Sequence, residues 1–412
     1  MLRARIISAD SHMVEPGDLW TSGLPEAFRD RAPHVRPREG GGGLVFVPTG
    51  AAPFPVAAVF GMGRAGEELR DHMAAGYEMA RPSGWDPAER LKDQDIDGVL
   101  AEVLYPSLGL SLYRLPDHEL QVACFKVYND WIAKFCAHNP HRLLGCGLLS
   151  IWDVPGAVAE MHRCQELGLR TVMIPATPPD DIPYTEALYE PLWEAAGKLR
   201  IPLSMHIGTN CGSSGKARDS AFSDGMNPTI KARISQPQNF ATSPQEMQKT
   251  LASLVIGGVL DRHQNLRLVL VEGDAGWMPH LMYRLDHGYE KYRAIQNTQL
   301  SRKPSDIVRA QVWSTFQEDP IGPLASNLYG HGNYMWASDF PHTETTWPHS
   351  LDVVDRDFAT VDAETRRKVT VQNAVDLYHI NLDLISTPIA TASSAAAPSA
   401  AASSAAAPSA AA

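Results

Sequence analysis

The sequence has few cysteines and no long hydrophobic run, and each shortage excludes a class of protein. Five of the 412 residues are cysteine, and no two form a C-x-x-C pair: Cys124, Cys136, Cys146, Cys164 and Cys211. An odd number of thiols at such spacings indicates reduced cysteines rather than a disulfide scaffold, so we expect a cytoplasmic protein. No apolar run approaches the roughly 20 residues that cross a bilayer, and we expect no secretory signal.

Basic residues are also in deficit. Lys and Arg total 36 against 47 Asp and Glu, which gives a formal net charge of -11. This acidic balance argues against nucleic acid or an anionic membrane as a partner. We therefore expect the protein to act on a small molecule.

The rest of the sequence has an alternating pattern of strands and helices. Eight short apolar segments, each followed by a helical pattern, predict strands at residues 6–9, 99–104, 143–149, 171–174, 203–206, 266–271, 312–316 and 334–337. Continuous apolar strands joined by helices are typical of a parallel sheet covered by helices. Eight such units favour an α/β fold, the (β/α)8 TIM barrel, over the alternative of a doubly wound open sheet.

Two segments fall outside this pattern. Two β-rich runs at 44–47 and 56–60 predict a β-hairpin insertion at about residues 40–62. The run ASSAAAPSA occurs at 392–400 and again at 402–410. This composition has no apolar face to bury, so we expect residues 386–412 to form a disordered tail or linker. The folded domain is then residues 1–385.

Metal-binding and acid–base side chains recur where predicted strands end. Asp10 and His12 follow the first strand two residues apart, so their side chains point to the same face. Because the active sites of (β/α)8 barrels lie at the carboxyl ends of the strands, we expect eight such residues to converge. They are Asp10, His12, His206, Glu272, Glu318, Asp319, Asp339 and His342. Plainer roles remain open: an Asp and a Ser at a strand end can form a turn, and Glu272 can form a salt bridge at the rim.

Imidazole and carboxylate ligands together suit Zn, Mn or Fe better than Ca or Mg. If the ligands leave a coordination position open, a bound water can lose its proton near neutral pH. We therefore expect a divalent metal cofactor, with Asp339, Glu272 and His206 as the catalytic residues.

The order and spacing of these motifs resemble the amidohydrolase-related family, in the branch typified by aminocarboxymuconate-semialdehyde decarboxylase. The resemblance rests on Asp10-Ser11-His12, on His206 before Ile207-Gly208, on Glu272 within 271–279 and on Asp339 within 338–342, and it covers residues 1 to about 385. It implies a (β/α)8 barrel with a catalytic divalent metal on strand one, His206 and Asp339. A homo- or hetero-oligomer is a further expectation at the level of the family.

The sequence departs from the decarboxylase pattern at two positions. Those enzymes have H-x-H on strand one, whereas this chain has Asp10 before His12. They also have a catalytic histidine after strand six, where this chain has Glu272, a carboxylate that could serve as a general base or a further ligand. No lysine ends strand four, where Pro175 stands, which argues against the carbamylated-lysine centre of other amidohydrolases.

Glu15 extends the first motif to D-x-H-x-x-E. Carboxylates at Glu15 and Glu272, together with His342, could hold a second metal ion. A few members of the family are similar in having a dinuclear iron or iron–manganese centre and acting as oxygenases. Glu15, which precedes Pro16, can equally be a simple loop residue.

Three functions follow from these observations. The first is a metal-dependent hydrolase or non-oxidative decarboxylase of a small carboxylated substrate, with the metal on Asp10, His12, His206 and Asp339. The second is a dinuclear non-haem iron oxygenase, with Fe/Fe or Fe/Mn ions, that also uses Glu15, Glu272 and His342. The third is a non-catalytic barrel subunit of a hetero-oligomer, against which the nearly intact ligand set argues.

Overall fold

The computed structural model describes residues 5–50, 52–211 and 237–386. In chain order the strands are β1 (Ile6–His12), β2 (His34–Pro37), β3 (Leu44–Val47), β4 (Phe54–Pro55), β5 (Val99–Tyr105), β6 (Leu143–Leu148), β7 (Thr171–Thr177), β8 (Leu203–Asn210), β9 (Leu268–Val271), β10 (Val312–Phe316) and β11 (Tyr334–Trp336). Eight of them form one parallel sheet in the order β1-β5-β6-β7-β8-β9-β10-β11. All eight predicted barrel strands are therefore present, several extended by a few residues.

The two ends of this sheet meet and close it into a barrel. The backbone N–H of Asp339, just after β11, donates to the carbonyl of Asp10 in β1 at 3.0 Å. The N–H of His12 donates in the other direction, to the carbonyl of Phe340, at 2.7 Å. An open doubly wound sheet would leave both edges free, so the prediction of a (β/α)8 barrel is confirmed.

Helices cover the outside of the barrel. The α-helices span Leu19–Gly23, Glu26–Arg29, Gly66–His72, Pro87–Asp97, His118–Cys136, Val154–Glu166, Glu190–Leu199, Pro244–Ile256, Val259–Arg262, Met278–Tyr292, Pro304–Gln311, Gly322–Ala325, Ser350–Asp357, Ala363–Arg367, Asn373–Tyr378 and Leu382–Ser386. Short 3-10 helices lie at Val56–Val59, Tyr77–Met79, Pro82–Gly84, Leu108–Arg114, Ala187–Tyr189 and Leu328–Gly330, and a π-helical turn at Lys368–Gln372. Several crossover helices begin at an aspartate; the Asp86 carboxylate, for example, accepts a hydrogen bond from the Ala88 N–H at 2.8 Å and caps the helix.

The insertion forms a small antiparallel sheet of its own, in which β3 pairs with both β2 and β4. The second predicted β-run, 56–60, is largely a 3-10 turn instead of a strand, because its apolar residues pack into the core. The segment Gly61–Gly66, which follows this turn, has the G-x-G-x-x-G spacing. It follows no strand of the parallel sheet, so it lacks the context of a dinucleotide site. It packs on the loop after β11, where the Met62 N–H donates to the Pro341 carbonyl at 3.0 Å. The predicted tail from 387 onward lies outside the described residues.

Glycines in β6 allow helices to approach the barrel closely. A Cβ atom on Gly145 would lie 2.7 Å from Leu169 Cδ2, 3.1 Å from Ile132 Cγ1 and 3.2 Å from Cys136 Sγ. These are side chains of the buried core, and a well-packed core resists added volume.

We expect Gly145→Val to lower the free energy of unfolding by about 1–3 kcal/mol through overpacking. Gly288→Ala is the matched control. Gly288 lies inside the helix Met278–Tyr292 and an added Cβ there meets nothing within 4 Å, so this variant should gain about 0.5–1 kcal/mol. Thermal unfolding of both proteins measures the difference. An unchanged melting temperature for Gly145→Val would show that the helices can move outward freely.

Candidate metal centre

Strand β1 and the loop after β11 bring the first predicted ligands together. Asp10 and His12 project to the same side of β1, as their spacing predicts, and His12 Nε2 lies 3.4 Å from Asp10 Oδ1. Asp339, which is joined to β1 by the backbone hydrogen bond that closes the barrel, places its Oδ1 3.3 Å from His12 Nε2. His206 in β8 places its Nε2 3.1 Å from His12 Nε2. All four side chains are at least 99% buried.

Two more predicted residues complete the cluster. Glu272 follows β9, and its Oε2 lies 3.5 Å from His206 Nε2. His342 lies one turn after Asp339, with its Nδ1 3.3 Å from Asp339 Oδ1. Both side chains are 17% exposed, so they form the side of the cluster that faces the barrel mouth. The structure thus brings together six of the seven predicted ligands. The two strand-end residues after β10 do not join them: Glu318 pairs with Arg356, and Asp319 accepts from the backbone N–H groups of Ala275 and Gly276.

Unusual backbone conformations aim two of these side chains. Glu272 and Asp339 have positive φ angles of 56° and 54°, the left-handed region that non-glycine residues rarely adopt. Such conformations persist where the surroundings hold them, and they cluster at functional sites. At Asp339 the chain turns at once, with the His342 N–H donating to the Asp339 carbonyl at 2.8 Å. The turn lets Asp339 and His342 face the same point.

Backbone carbonyls determine which ring nitrogen carries the proton in two of the histidines. His12 Nδ1 lies 2.7 Å from the Pro106 carbonyl, and His206 Nδ1 lies 2.9 Å from the Ile207 carbonyl. A carbonyl can only accept, so each Nδ1 carries the proton and each Nε2 presents a lone pair. Two lone pairs 3.1 Å apart cannot bond to each other, but they can both bind a cation.

The carboxylates also lack donors. All four carboxylate oxygens of Asp10 and Asp339 are buried without a hydrogen-bond partner. Burial raises the pKa of Asp339, and burial and the nearby Asp339 raise the pKa of Asp10. Burial, followed by Asp339 and Asp10, raises the pKa of Glu272 well above its usual value. Buried charges of this kind need a counter-ion, and the mixed N/O donor set fits a divalent transition metal.

The histidines are also in the protonation state that suits metal binding. Burial lowers the pKa of His12 well below its usual value, that of His206 to about 3 and that of His342 to about 4. The three rings are therefore neutral at pH 7, which is the form that binds metal.

Glu15 is the predicted ligand that the structure does not bring into the cluster. It is fully buried, but its carboxylate accepts hydrogen bonds from the backbone N–H groups of Ser107, Leu108 and Gly109 at 2.9–3.1 Å. These donors precede and begin the 3-10 helix Leu108–Arg114. The spacing D-x-H-x-x-E could not reveal this role, because the donors lie about ninety residues further along the chain.

Arg90 is a buried residue at the site that the sequence did not reveal. Its guanidinium pairs with Glu102 Oε2 at 2.6 Å and donates to the carbonyls of His12 at 2.7 Å and Phe340 at 3.3 Å. It therefore joins the two backbone segments that carry ligands. It comes from a helix, so the strand-end rule could not find it.

A (β/α)8 barrel with buried carboxylates and imidazoles at the carboxyl ends of its strands defines a class of metal-binding barrel enzymes. The family model described as Amidohydrolase matches residues 34–380. The chain therefore belongs to the amidohydrolase family, and the predicted resemblance is confirmed. The match begins after β1, so it does not include Asp10 and His12.

Curated relatives include decarboxylases of the expected branch. The chain is 27% identical over 205 residues to gamma-resorcylate decarboxylase from Rhizobium radiobacter, covering 48% of this chain and 58% of that protein. It is 25% identical over 265 residues to 2-amino-3-carboxymuconate-6-semialdehyde decarboxylase from Dictyostelium discoideum, covering 62% and 67%. The alignment thus spans little more than half of the first relative.

Solved structures share the fold over nearly the whole chain. An amidohydrolase from Mycobacterium avium subsp. paratuberculosis superposes with a TM-score of 0.73 at 19% identity, covering 93% of this chain and all of that one. A dihydroxybenzoic acid decarboxylase from Polaromonas sp. JS666, solved with bound manganese and 2-nitroresorcinol, gives 0.60 at 17% identity, covering 93% and 100%. Within the described residues, no helix has the length and apolarity to span a membrane.

We expect metal binding to release protons from carboxylates. A raised pKa means that carboxyls of the metal-free protein keep their protons to higher pH than free carboxylic acids do, and a cation displaces those protons. Calorimetric titration with Mn²⁺ at pH 6.5, in buffers of different ionisation enthalpy, should detect proton release on binding. The number of protons released should fall as pH rises, because fewer carboxyls are then protonated. Asp339→Asn should release fewer protons, and His349→Gln, at an exposed histidine outside the cluster, should match wild type. Release that grows with pH would contradict this assignment.

Proposed function

We propose that the protein is a metal-dependent, non-oxidative decarboxylase of a small carboxylated organic substrate, in which a carboxylic acid replaces an imidazole as proton donor. One observation carries the proposal: the buried carboxylates of Asp10 and Asp339 have no donors and stand beside imidazoles whose lone pairs face inward. The decarboxylases among its relatives, and the manganese in one of them, support the same chemistry. We also propose that the protein is cytoplasmic and that it forms a homo- or hetero-oligomer.

Asp10, His12, His206 and Asp339 would hold the ion. The bound ion would supply a Lewis acid that polarises a substrate oxygen and orients the carboxylate to be lost. Loss of CO2 breaks a carbon–carbon bond and leaves its electron pair on carbon, so that carbon must then receive a proton. Glu272 borders the mouth, is partly exposed and has a raised pKa, so it can hold that proton and deliver it.

Charge balance agrees with this division of roles. Ionised Asp10 and Asp339 carry two negative charges, which one divalent ion neutralises, while protonated Glu272 adds none. An anionic substrate would then enter a neutral site. If Glu272 were ionised as well, a single ion would leave a net negative charge that repels a carboxylate.

A second candidate, the dinuclear oxygenase, is favoured by the extra ligands. The cluster also contains His342 Nδ1 and Glu272 Oε2, in addition to the four side chains that would hold one ion. With two divalent ions and three ionised carboxylates, the site would instead carry a net positive charge that attracts an anion. This arrangement requires Glu272 as an ionised ligand, so metal content and the protonation of Glu272 distinguish the two functions.

We expect Glu272→Gln to lower kcat for decarboxylation by about 10²–10⁴-fold, because the amide cannot donate the required proton. The assay measures CO2 release by Mn²⁺-loaded protein from hydroxybenzoates such as 2,6-dihydroxybenzoate and 5-carboxyvanillate. The Mn²⁺ content should stay close to one per chain. Glu318→Gln, at an exposed carboxylate paired with Arg356, is the matched control and should retain activity.

Two results would overturn the decarboxylase. Two metal ions per chain including iron, with oxygen consumption, would establish the oxygenase instead. Water-dependent cleavage without CO2 release would establish a hydrolase.

A further inference from the structure

We propose that the turn Pro106–Gly109, held by Glu15, positions the rings of His12 and His342 and fixes which nitrogen each presents to the metal centre. The proposal rests on the metal centre of the proposed function but not on the reaction catalysed there. It gives Glu15, which the sequence singled out, a role outside the ligand set. Ser107 in this turn then acts as a positioning residue.

The hydroxyl of Ser107 determines the proton position on His342. Ser107 Oγ lies 2.5 Å from the Met13 carbonyl and 2.8 Å from His342 Nε2. The carbonyl can only accept, so it takes the single hydroxyl proton of Ser107. His342 must then donate from Nε2 to the serine oxygen. Its Nδ1 is left as a bare lone pair, 3.3 Å from Asp339 Oδ1.

The same turn also fixes the tautomer of His12, but there the proton lies on Nδ1 instead of Nε2. The Pro106 carbonyl accepts from His12 Nδ1, which leaves Nε2 as the free lone pair of His12. The two rings stack, with centroids 3.8 Å apart and planes 20° apart. Two adjacent residues of one turn therefore make stacked imidazoles present different nitrogens to one cluster.

Glu15 holds this turn through both of its carboxylate oxygens. Its Oε1 accepts from the N–H groups of Ser107 and Gly109, and its Oε2 accepts from that of Leu108. The space is also closed, since a Cβ on Gly109 would lie 2.8 Å from Pro106 Cβ and 3.3 Å from Glu15 Oε1. A buried carboxylate that accepts from three backbone donors through both of its oxygens holds the turn, and it is not one of the clustered candidate ligands.

The test uses the full-length protein and Mn²⁺ or Zn²⁺ alone. In Ser107→Ala, His342 Nε2 loses its acceptor, so its ring should populate both tautomers in metal-free protein labelled with ¹⁵N-histidine. The ring signals are assigned by their loss in His342→Gln. Affinity for Mn²⁺ should fall about 10–100-fold, the usual effect of removing a partner of a metal ligand. Ser107→Thr keeps the hydroxyl and should restore both readouts.

Ser111→Ala is the matched control, because this serine lies in the 3-10 helix Leu108–Arg114 that follows Ser107, and its hydroxyl donates to the Leu108 carbonyl instead of a histidine. It should leave tautomer and affinity unchanged. If Ser107→Ala does not fold, Glu15→Gln serves instead, and its loosened turn should give the same changes in His342 and in Mn²⁺ affinity. An unaltered His342 tautomer with affinity within twofold of wild type would overturn the proposal. Neither readout uses turnover, so absence of decarboxylation would count against the proposed function alone.

Discussion

The site depends on the seam that closes the barrel between β1 and the segment after β11. Two backbone hydrogen bonds cross it, from Asp339 to Asp10 and from His12 to Phe340, and each joins residues at or beside the ligand cluster. They hold together buried carboxylates that repel each other. Arg90 strengthens the seam from outside, because its guanidinium reaches carbonyls on both sides. The contacts that close the barrel are therefore also the contacts that bring the candidate ligands together.

A second consequence of this arrangement is that the ligands are oriented before any ion binds. Each of the three imidazoles has one nitrogen committed to a protein acceptor: the carbonyls of Pro106 and Ile207, and the hydroxyl of Ser107. The remaining nitrogens have no such partner and face the carboxylates. Outer partners of this kind fix the tautomer and angle of metal-binding histidines. Such preorganisation explains how the cluster can keep its geometry against the repulsion of its own charges.

The sequence predicted the fold and the centre where local rules sufficed. Alternation of apolar strands and helices located the eight barrel strands, and the rule of strand carboxyl ends placed His206 and Asp339 near Asp10. The same rules could not find Arg90 or Ser107, whose roles depend on contacts between segments remote in sequence. Glu15 was misleading for the same reason, since its partners belong to a turn after β5. In the insertion, β-forming residues at 56–60 largely became a 3-10 turn because tertiary packing overrode local preference.

The three carboxylates of the centre are chemically alike, and burial is what separates their roles. Asp10 and Asp339 are completely enclosed, so no substrate can touch them without displacing the ligands around them. Glu272 stands at the edge, partly exposed, on a backbone turn with positive φ that directs it toward His206. The resemblance to the decarboxylases predicts that Glu272 stands where they have a catalytic histidine, but a carboxyl must be protonated to donate and ionised to bind metal. A histidine could remain a neutral donor beside a metal, whereas Glu272 can donate only when it is protonated and can bind the metal only when it is ionised. Under the proposed function, the protonation state of Glu272 therefore sets the number of ions whose charge the site can balance, and with it the proposed reaction.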